Sequence, residues 1–167
     1  ESATPSADLK KWTIKLRSGI SYSNGQAFNA DSVIENIDYI RGAKYLASPA
    51  TKVWTLSNGI PGFANLVSVA KTDDLTVVMN LDRPQNDIDL ALSYPTSGMR
   101  ASEQLATASS CVSKAIGTGP FILDSWTSDE LVAHKNPNYW RTDPNKPDTK
   151  LPYLDKIAFV NVKEGSQ

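Results

Sequence analysis

Residues 115–126 read AIGTGPFILDSW, two glycines, a threonine and a proline ahead of a run of large apolar residues. Such a loop either cradles phosphate at the head of a helix or lets the chain turn into a strand. A phosphate loop needs successive backbone N–H groups converging on the anion, usually with a helix N-terminus behind them. Its specific form, GxxxxGK followed by Ser or Thr, adds a lysine and a hydroxyl. Here Gly117 and Gly119 are followed by no Lys-Ser or Lys-Thr pair, and Pro120 has no N–H to offer. Phe121-Ile122-Leu123-Asp124-Ser125-Trp126 is rich in β-formers and too short in helical period to open a helix. The stretch therefore predicts a tight entry into a strand. Gly117, Thr118, Gly119 and Pro120 are assigned a structural role in which the two glycines permit the turn and Pro120 stiffens it.

Outward from that loop, strand 120–126 is expected to pair with strand 130–135 across a turn at Thr127-Ser128-Asp129. Upstream, Trp12-Thr13-Ile14-Lys15-Leu16-Arg17 alternates between apolar and polar, the pattern of a half-buried strand. Asn24-Gly25 signals a turn. Asn29 is placed to cap a helix over 30–41, with Asp31 in its first turn and Ala30, Val33, Ile34, Ile37 and Ile40 at helical spacing; Gly42 is placed to end it. Residues 43–66 predict a long ordered loop with a helical turn. LVSVAKT and LTVVMNLD flank Asp73-Asp74 and predict a second hairpin, with Leu75, Val77, Met79 and Leu81 on one face. Short helices are expected in PQNDIDLALSYP, capped by Asn86, and in RASEQLATAS. NPNYWRTDPNKPDTKLP is expected to be extended and exposed, and Leu154 to Val162 to form a last strand. With no regular βαβ rhythm, the class is α+β, a mixed, mainly antiparallel sheet with a few short helices. Residues 1–11 form a polar N-terminal segment, and 12–167 a single domain.

The 167 residues are enough for one ordinary core. The balance of 17 basic against 18 acidic residues gives a net charge of −1, which does not steer the chain toward nucleic acid or an anionic membrane. No apolar run approaches the roughly 20 residues that span a bilayer. A single histidine, His134, and a single cysteine, Cys111, do not make a usual zinc site, so neither a metal nor a cofactor is expected. Without a partner, His134 reads as a surface imidazole and not as a catalyst. Cys111 reads as an inert small residue, and Asp73-Asp74 as a solvated turn. Trp126, Tyr139 and Trp140 read as aromatics closing the end of a hairpin core, and Trp54, in an irregular loop, as a candidate ligand contact.

Four segments together resemble one family. WTIKLRSGISYSNGQAFNADSVIENI is similar to its W-T-F-x-L-R strand, glycine turn and A-x-D-V helix start. AKTDDLTVVMNLDRPQNDIDLAL resembles its D-D-x-T-V-x-x-x-L strand and following short helix. IGTGPFILDSWTSDELVAHKNPNYW resembles its G-T-G-P-F/Y hairpin ending in N-P-x-Y-W, and LPYLDKIAFVNVKE its P-Y-L-D-K-I-x-F strand. The family is the bacterial extracellular solute-binding proteins of family 5, which bind oligopeptides, dipeptides, nickel chelates and some oligosaccharides. The chain departs from the family pattern in 43–66 and in SYPTSGMRASEQL.

The resemblance implies a piece of lobe one of a longer, two-lobed fold of the class II periplasmic-binding-protein kind. It also implies capture of a peptide-like solute outside the cytoplasm for an ABC permease and ATPase. The resemblance further implies a lipid anchor preceding this chain, and no catalysis. It places residues 94–100 on a strand returning toward the cleft and so makes Thr96, Ser97 and Gly98 candidate ligand contacts beside Trp54. A secreted carboxylate-dependent hydrolase and a surface adhesion module remain alternative readings.

Overall fold

The computed structural model describes residues 1–40, 63, 65–106 and 114–162. The expected loop at 43–66, apart from Phe63, Asn65 and Leu66, lies outside them, as do Gly42, Trp54 and Cys111.

The first sheet has four antiparallel strands, β1 (Ser2–Pro5), β2 (Lys11–Lys15), β3 (Leu66–Asp73) and β4 (Thr76–Leu81), in the order β1-β2-β4-β3. The alternation read in the sequence sets its faces. Trp12 pairs with Met79 and Ile14 with Val77, and all four side chains are buried. The polar lead-in supplies an edge strand, since Ser2–Pro5 pairs in register with Pro5 opposite Trp12. Polarity did not exclude it, because an edge strand leaves polar side chains to water and still completes a backbone ladder.

Helix α1 (Ala30–Ile40) covers one face of this sheet. Its start follows from Asn29, whose Oδ1 accepts the Ser32 N–H at 3.0 Å while Ser32 Oγ accepts the Asn29 N–H at 3.2 Å. The Ala30 N–H donates to the Asp74 carbonyl at 2.9 Å, tying the helix to the β3–β4 turn. Lys71 Nζ lies 2.7 Å from Asp31 Oδ2 and 3.6 Å from Asp74 Oδ1, so Asp74 belongs to a solvated, ion-paired turn. Ala30, Val33 and Ile37 join Val77, Met79, Leu81, Ile88 and Phe63 in the main core.

The second sheet has three antiparallel strands in the order β5-β6-β9: β5 (Phe121–Trp126), β6 (Glu130–Lys135) and β9 (Lys156–Val160). The glycine loop does enter a strand. A bulge between Leu123 and Ser125 sets Asp124 out of register. The segment expected to be merely extended contains a third, two-stranded sheet, β7 (Thr142–Asp143) with β8 (Lys146–Lys150). Its turn is closed by Asp143, whose carboxylate accepts the Asn145 N–H at 2.8 Å and the Tyr153 hydroxyl. Single-residue signals missed it because a side-chain-closed turn supports pairing even in a proline-rich run.

Among the described residues the remaining helices are short: α2 (Ile88–Ser93) and α3 (Ser102–Ala106), with a 3-10 turn at Pro95–Ser97 between them. The N-cap of α2 is Asp87 rather than Asn86, and it makes no capping bond with its side chain; Gln85 Nε2 donates to that carboxylate at 2.8 Å instead.

Candidate binding turn and its anchors

Where α2 ends, Tyr94 turns the backbone to φ −67°, ψ 145°. Pro95 at the head of the next turn fixes its own φ and favours this extended conformation in the residue before it. The 3-10 turn then closes through Ser97 N–H to Tyr94 O at 2.9 Å and Gly98 N–H to Pro95 O at 3.2 Å. Ser97 points inward: it is 3% exposed, and its hydroxyl donates to the Ala91 carbonyl at 2.8 Å, satisfying a group at the end of α2. Gly98 is exposed. A Cβ there would stand 3.2 Å from the Pro95 carbonyl oxygen, a tight approach that a glycine avoids. Of the residues singled out in the sequence, Ser97 and Gly98 thus share one turn with opposite orientations. The Thr96 side chain and Trp54 lie outside the described residues.

Beyond the turn the chain is fastened to α1. Asn36, 1% exposed, accepts the Arg100 N–H on Oδ1 at 2.8 Å and donates through Nδ2 to the Arg100 carbonyl at 2.8 Å. The Arg100 guanidinium lies over the Tyr39 ring, 4.5 Å from its centroid. Ser102 donates its hydroxyl to Glu35, while Gln26 both donates to Ser102 Oγ at 2.8 Å and accepts the Ser102 N–H at 3.0 Å. Gln26 follows the Asn24-Gly25 turn, where Gly25 has φ 87° and donates to Tyr22 O at 2.9 Å, a left-handed position that favours glycine.

Tyr22, Ala101 and Ile116 form a second small core beneath this segment. Tyr22 is fully buried, and its hydroxyl meets no hydrogen-bond partner of good geometry among the described residues. Burial pushes its ionisation up, with the nearby Ser32 and Asn36 side chains opposing the shift.

The glycine loop is held differently from the sequence-based expectation. Neither Gly117 nor Gly119 is among the positive-φ residues, and a Cβ on either would meet nothing nearer than 4.0 Å. The loop's path is set by hydrogen bonds. Ser23 N–H donates to Gly117 O at 2.9 Å, Ile116 N–H to Gln104 Oε1 at 2.8 Å, and Asn136 Nδ2 to Gly119 O at 2.9 Å; Gln104 Nε2 donates to the Lys114 carbonyl. Asn36, Gln104 and Asn136 are each about 1% exposed. These buried amides were missed by sequence reasoning. Only Asn36 carried a signal, being a polar residue inside the apolar arc of α1, three residues after Val33 and next to Ile37.

The remaining candidates sit apart from the turn. His134 is exposed on β6, with Nδ1 against Asp124 Oδ1 of the bulge. Trp126 is 56% exposed, not closing a core; in register with Leu131 and Phe159 it lines an open groove of about 300 Å³ with Val160. Trp140 lies under the Arg17 guanidinium, 4.9 Å from centroid to Cζ, which joins the end of the first sheet's β2 to the later segment. Among the described residues no cluster of three potential metal ligands occurs, and no helix is long and apolar enough to cross a membrane.

An α+β chain of antiparallel sheets with an 11-residue amphipathic helix, the protein shares its fold with solved periplasmic binding proteins. The chain belongs to the bacterial extracellular solute-binding proteins, family 5, whose middle-region model matches residues 1–167. It is similar to the glutathione-binding protein GsiB of Escherichia coli strain K12, at 28% identity over 99% of this chain and 30% of that protein. It therefore spans about 30% of the length of the curated relatives it matches. Among solved structures, NikA from Brucella suis, in complex with Fe(III)-EDTA, matches at 26% identity with TM-score 0.70 over 96% of this chain and 29% of that one. The fold is shared as well with DppA from Helicobacter pylori in complex with the peptide STSA, at 22% identity and TM-score 0.73 over 96% of this chain and 33% of that one.

Proposed function

We propose that this chain is part of lobe one of an extracytoplasmic solute-binding protein that captures a small, peptide-like solute and delivers it to an ABC permease and its ATPase. The observation that carries the reading is the family match along residues 1–167. The relatives support the solute class: one is named for glutathione, a tripeptide, and another was solved with a tetrapeptide. In this reading residues 12–167 are one domain of the lobe, and the polar segment 1–11 joins it by adding the edge strand Ser2–Pro5 to its first sheet. A second lobe closes over the solute, because contacts made only in the closed state shift the population toward it. The turn at Pro95–Gly98 meets the solute at the exposed Gly98, with Thr96 and Trp54 as further candidate contacts, while Ser97 holds the turn from within. The protein performs no covalent chemistry, and a lipid anchor holds it outside the membrane.

The test is calorimetry on the protein expressed from its complete reading frame, with glutathione, the peptide Ser-Thr-Ser-Ala, a nickel–histidine chelate and an oligosaccharide as probes. Binding of a peptide probe at micromolar Kd or better is expected. Saturable binding of the sugar alone, or turnover of any probe, would overturn the reading. Membrane fractionation with and without lipoprotein-signal processing tests the anchor; release that does not depend on processing would count against it.

A further inference from the structure

A turn that meets solute works best when it is already in place before the solute arrives, since ordering it on binding would weaken affinity. The turn at Pro95–Ser97 has too few backbone bonds of its own to hold it, so its ends must be fixed from outside. At the near end the fixing group is Ser97, through its bond to Ala91. At the far end it is Asn36, whose carboxamide faces the N–H and C=O of Arg100 together. Only Gly98 and Met99 stand between the two anchors. A span that short leaves little slack, so fixing Arg100 also sets where Gly98 sits.

We propose that Asn36 is the positioning residue of the candidate binding turn: it docks the backbone of Arg100 onto α1 and so presets the turn's height above the first core. The inference rests on the reading of Pro95–Gly98 as the solute-facing turn. A carboxamide reproduces the donor and acceptor of a peptide group, so Asn36 gives Arg100 the pair of bonds a neighbouring strand would give. Its second Nδ2 hydrogen goes to Ser32 O one helical turn back, at 2.8 Å, which fixes the amide's orientation. No isosteric residue does the same. Aspartate keeps the acceptor but turns a charged oxygen toward the carbonyls of Ser32 and Arg100. Alanine leaves the N–H and the C=O of Arg100 both without this partner.

The test uses the protein expressed from its complete reading frame, numbered as here, with Asn36→Asp and Asn36→Ala, glutathione and Ser-Thr-Ser-Ala as probes, and pH 7 and pH 4.5. The charged and titratable groups beside residue 36 are Glu35 and Tyr39 on α1, Tyr22 from the preceding loop, and Arg100 itself. Amide exchange is read at Gly98, Met99 and Arg100, with Val77 in the first core as the control for global opening. In the unmodified protein Arg100 is expected to be protected. In Asn36→Ala, exchange over 98–100 is expected to speed by about tenfold or more relative to Val77 at both pH values, the scale of a lost buried hydrogen bond pair. In Asn36→Asp the acceleration is expected at pH 7 and to be partly reversed at pH 4.5, where the protonated carboxyl can again donate to a carbonyl. A general loosening of the fold would move Val77 as well and show no such pH reversal. The affinity of the responding probe is expected to fall about tenfold along with the protection.

Fast exchange at Arg100 in the unmodified protein, or unchanged exchange in both variants, would overturn the role of Asn36. Accelerated exchange with unchanged affinity would instead overturn the turn as a solute contact.

Discussion

The two larger sheets carry similar apolar patterns and meet different fates. In the first, Trp12, Ile14, Val77 and Met79 are buried because α1 lies across them with Val33 and Ile37 at helical spacing. In the second, the row Trp126–Leu131–Phe159 is also in register, yet Trp126 is 56% and Phe159 64% exposed. The β-strand period decides which residues share a face. What lies over that face is a separate matter. A sheet with an amphipathic helix on it builds a core; among the described residues no helix lies over the Trp126–Phe159 row, and the same chemistry is left exposed.

That contrast can be broken most sharply by paired substitutions read in denaturant. Ile37→Ala, at a fully buried position, is expected to lower stability by ~2–5 kcal/mol through lost transfer energy and the cavity left behind. Phe159→Ser is expected to stay within ~0.5 kcal/mol, as a surface substitution does. Similar losses at the two sites would mean that the second sheet is covered in solution. The helix that creates the difference depends on its start, so Asn29→Ala is expected to cost ~1 kcal/mol, with a gain in backbone exchange at Ser32 as the local signature.

The smallest expected effect lies in the two-stranded sheet. The Tyr153 hydroxyl first, and then the Asn145 N–H, hold the Asp143 carboxyl below the usual carboxylate range, and the same hydrogen bond pushes the Tyr153 phenol up. A lowered folded pKa contributes stability that is present above the unfolded aspartate value, ~3.9, and is lost as pH falls through the lowered folded value. NMR titration is expected to show the 142–150 hairpin intact through the ordinary aspartate range and loosening only below it. Tyr153→Phe is expected to move the Asp143 titration back up toward that range. A titration that does not move would show that the hydroxyl is not what holds the carboxylate.

How far the sequence could be read depended on how local the cause was. The Asn29 cap and the turns at Asn24-Gly25 and Thr127–Asp129 are settled within a few residues, and each was legible. Cooperation over a longer stretch hid the 142–150 pairing, because Asp143 closes that turn with the help of Tyr153, ten residues on. The candidate turn was not legible as a turn: the resemblance placed 94–100 on a strand, whereas Pro95 opens a 3-10 turn over Pro95–Ser97. Nor was the inward Ser97, because its orientation is set by the Ala91 carbonyl. The glycine loop was legible as a strand entry, whereas its shape comes from Gln104, Ser23 and Asn136 rather than from any left-handed glycine.

By itself the sequence determined the class, the faces of the strands, the helix and its cap, and the family, because period, capping chemistry and motif order are written along the chain. Tertiary structure alone decided which apolar face became a core and which polar side chains became internal fasteners. Asn36 and Arg100 stand 64 residues apart. Nothing in either neighbourhood announces the other, because a buried amide takes its meaning from the backbone group that folding brings to it.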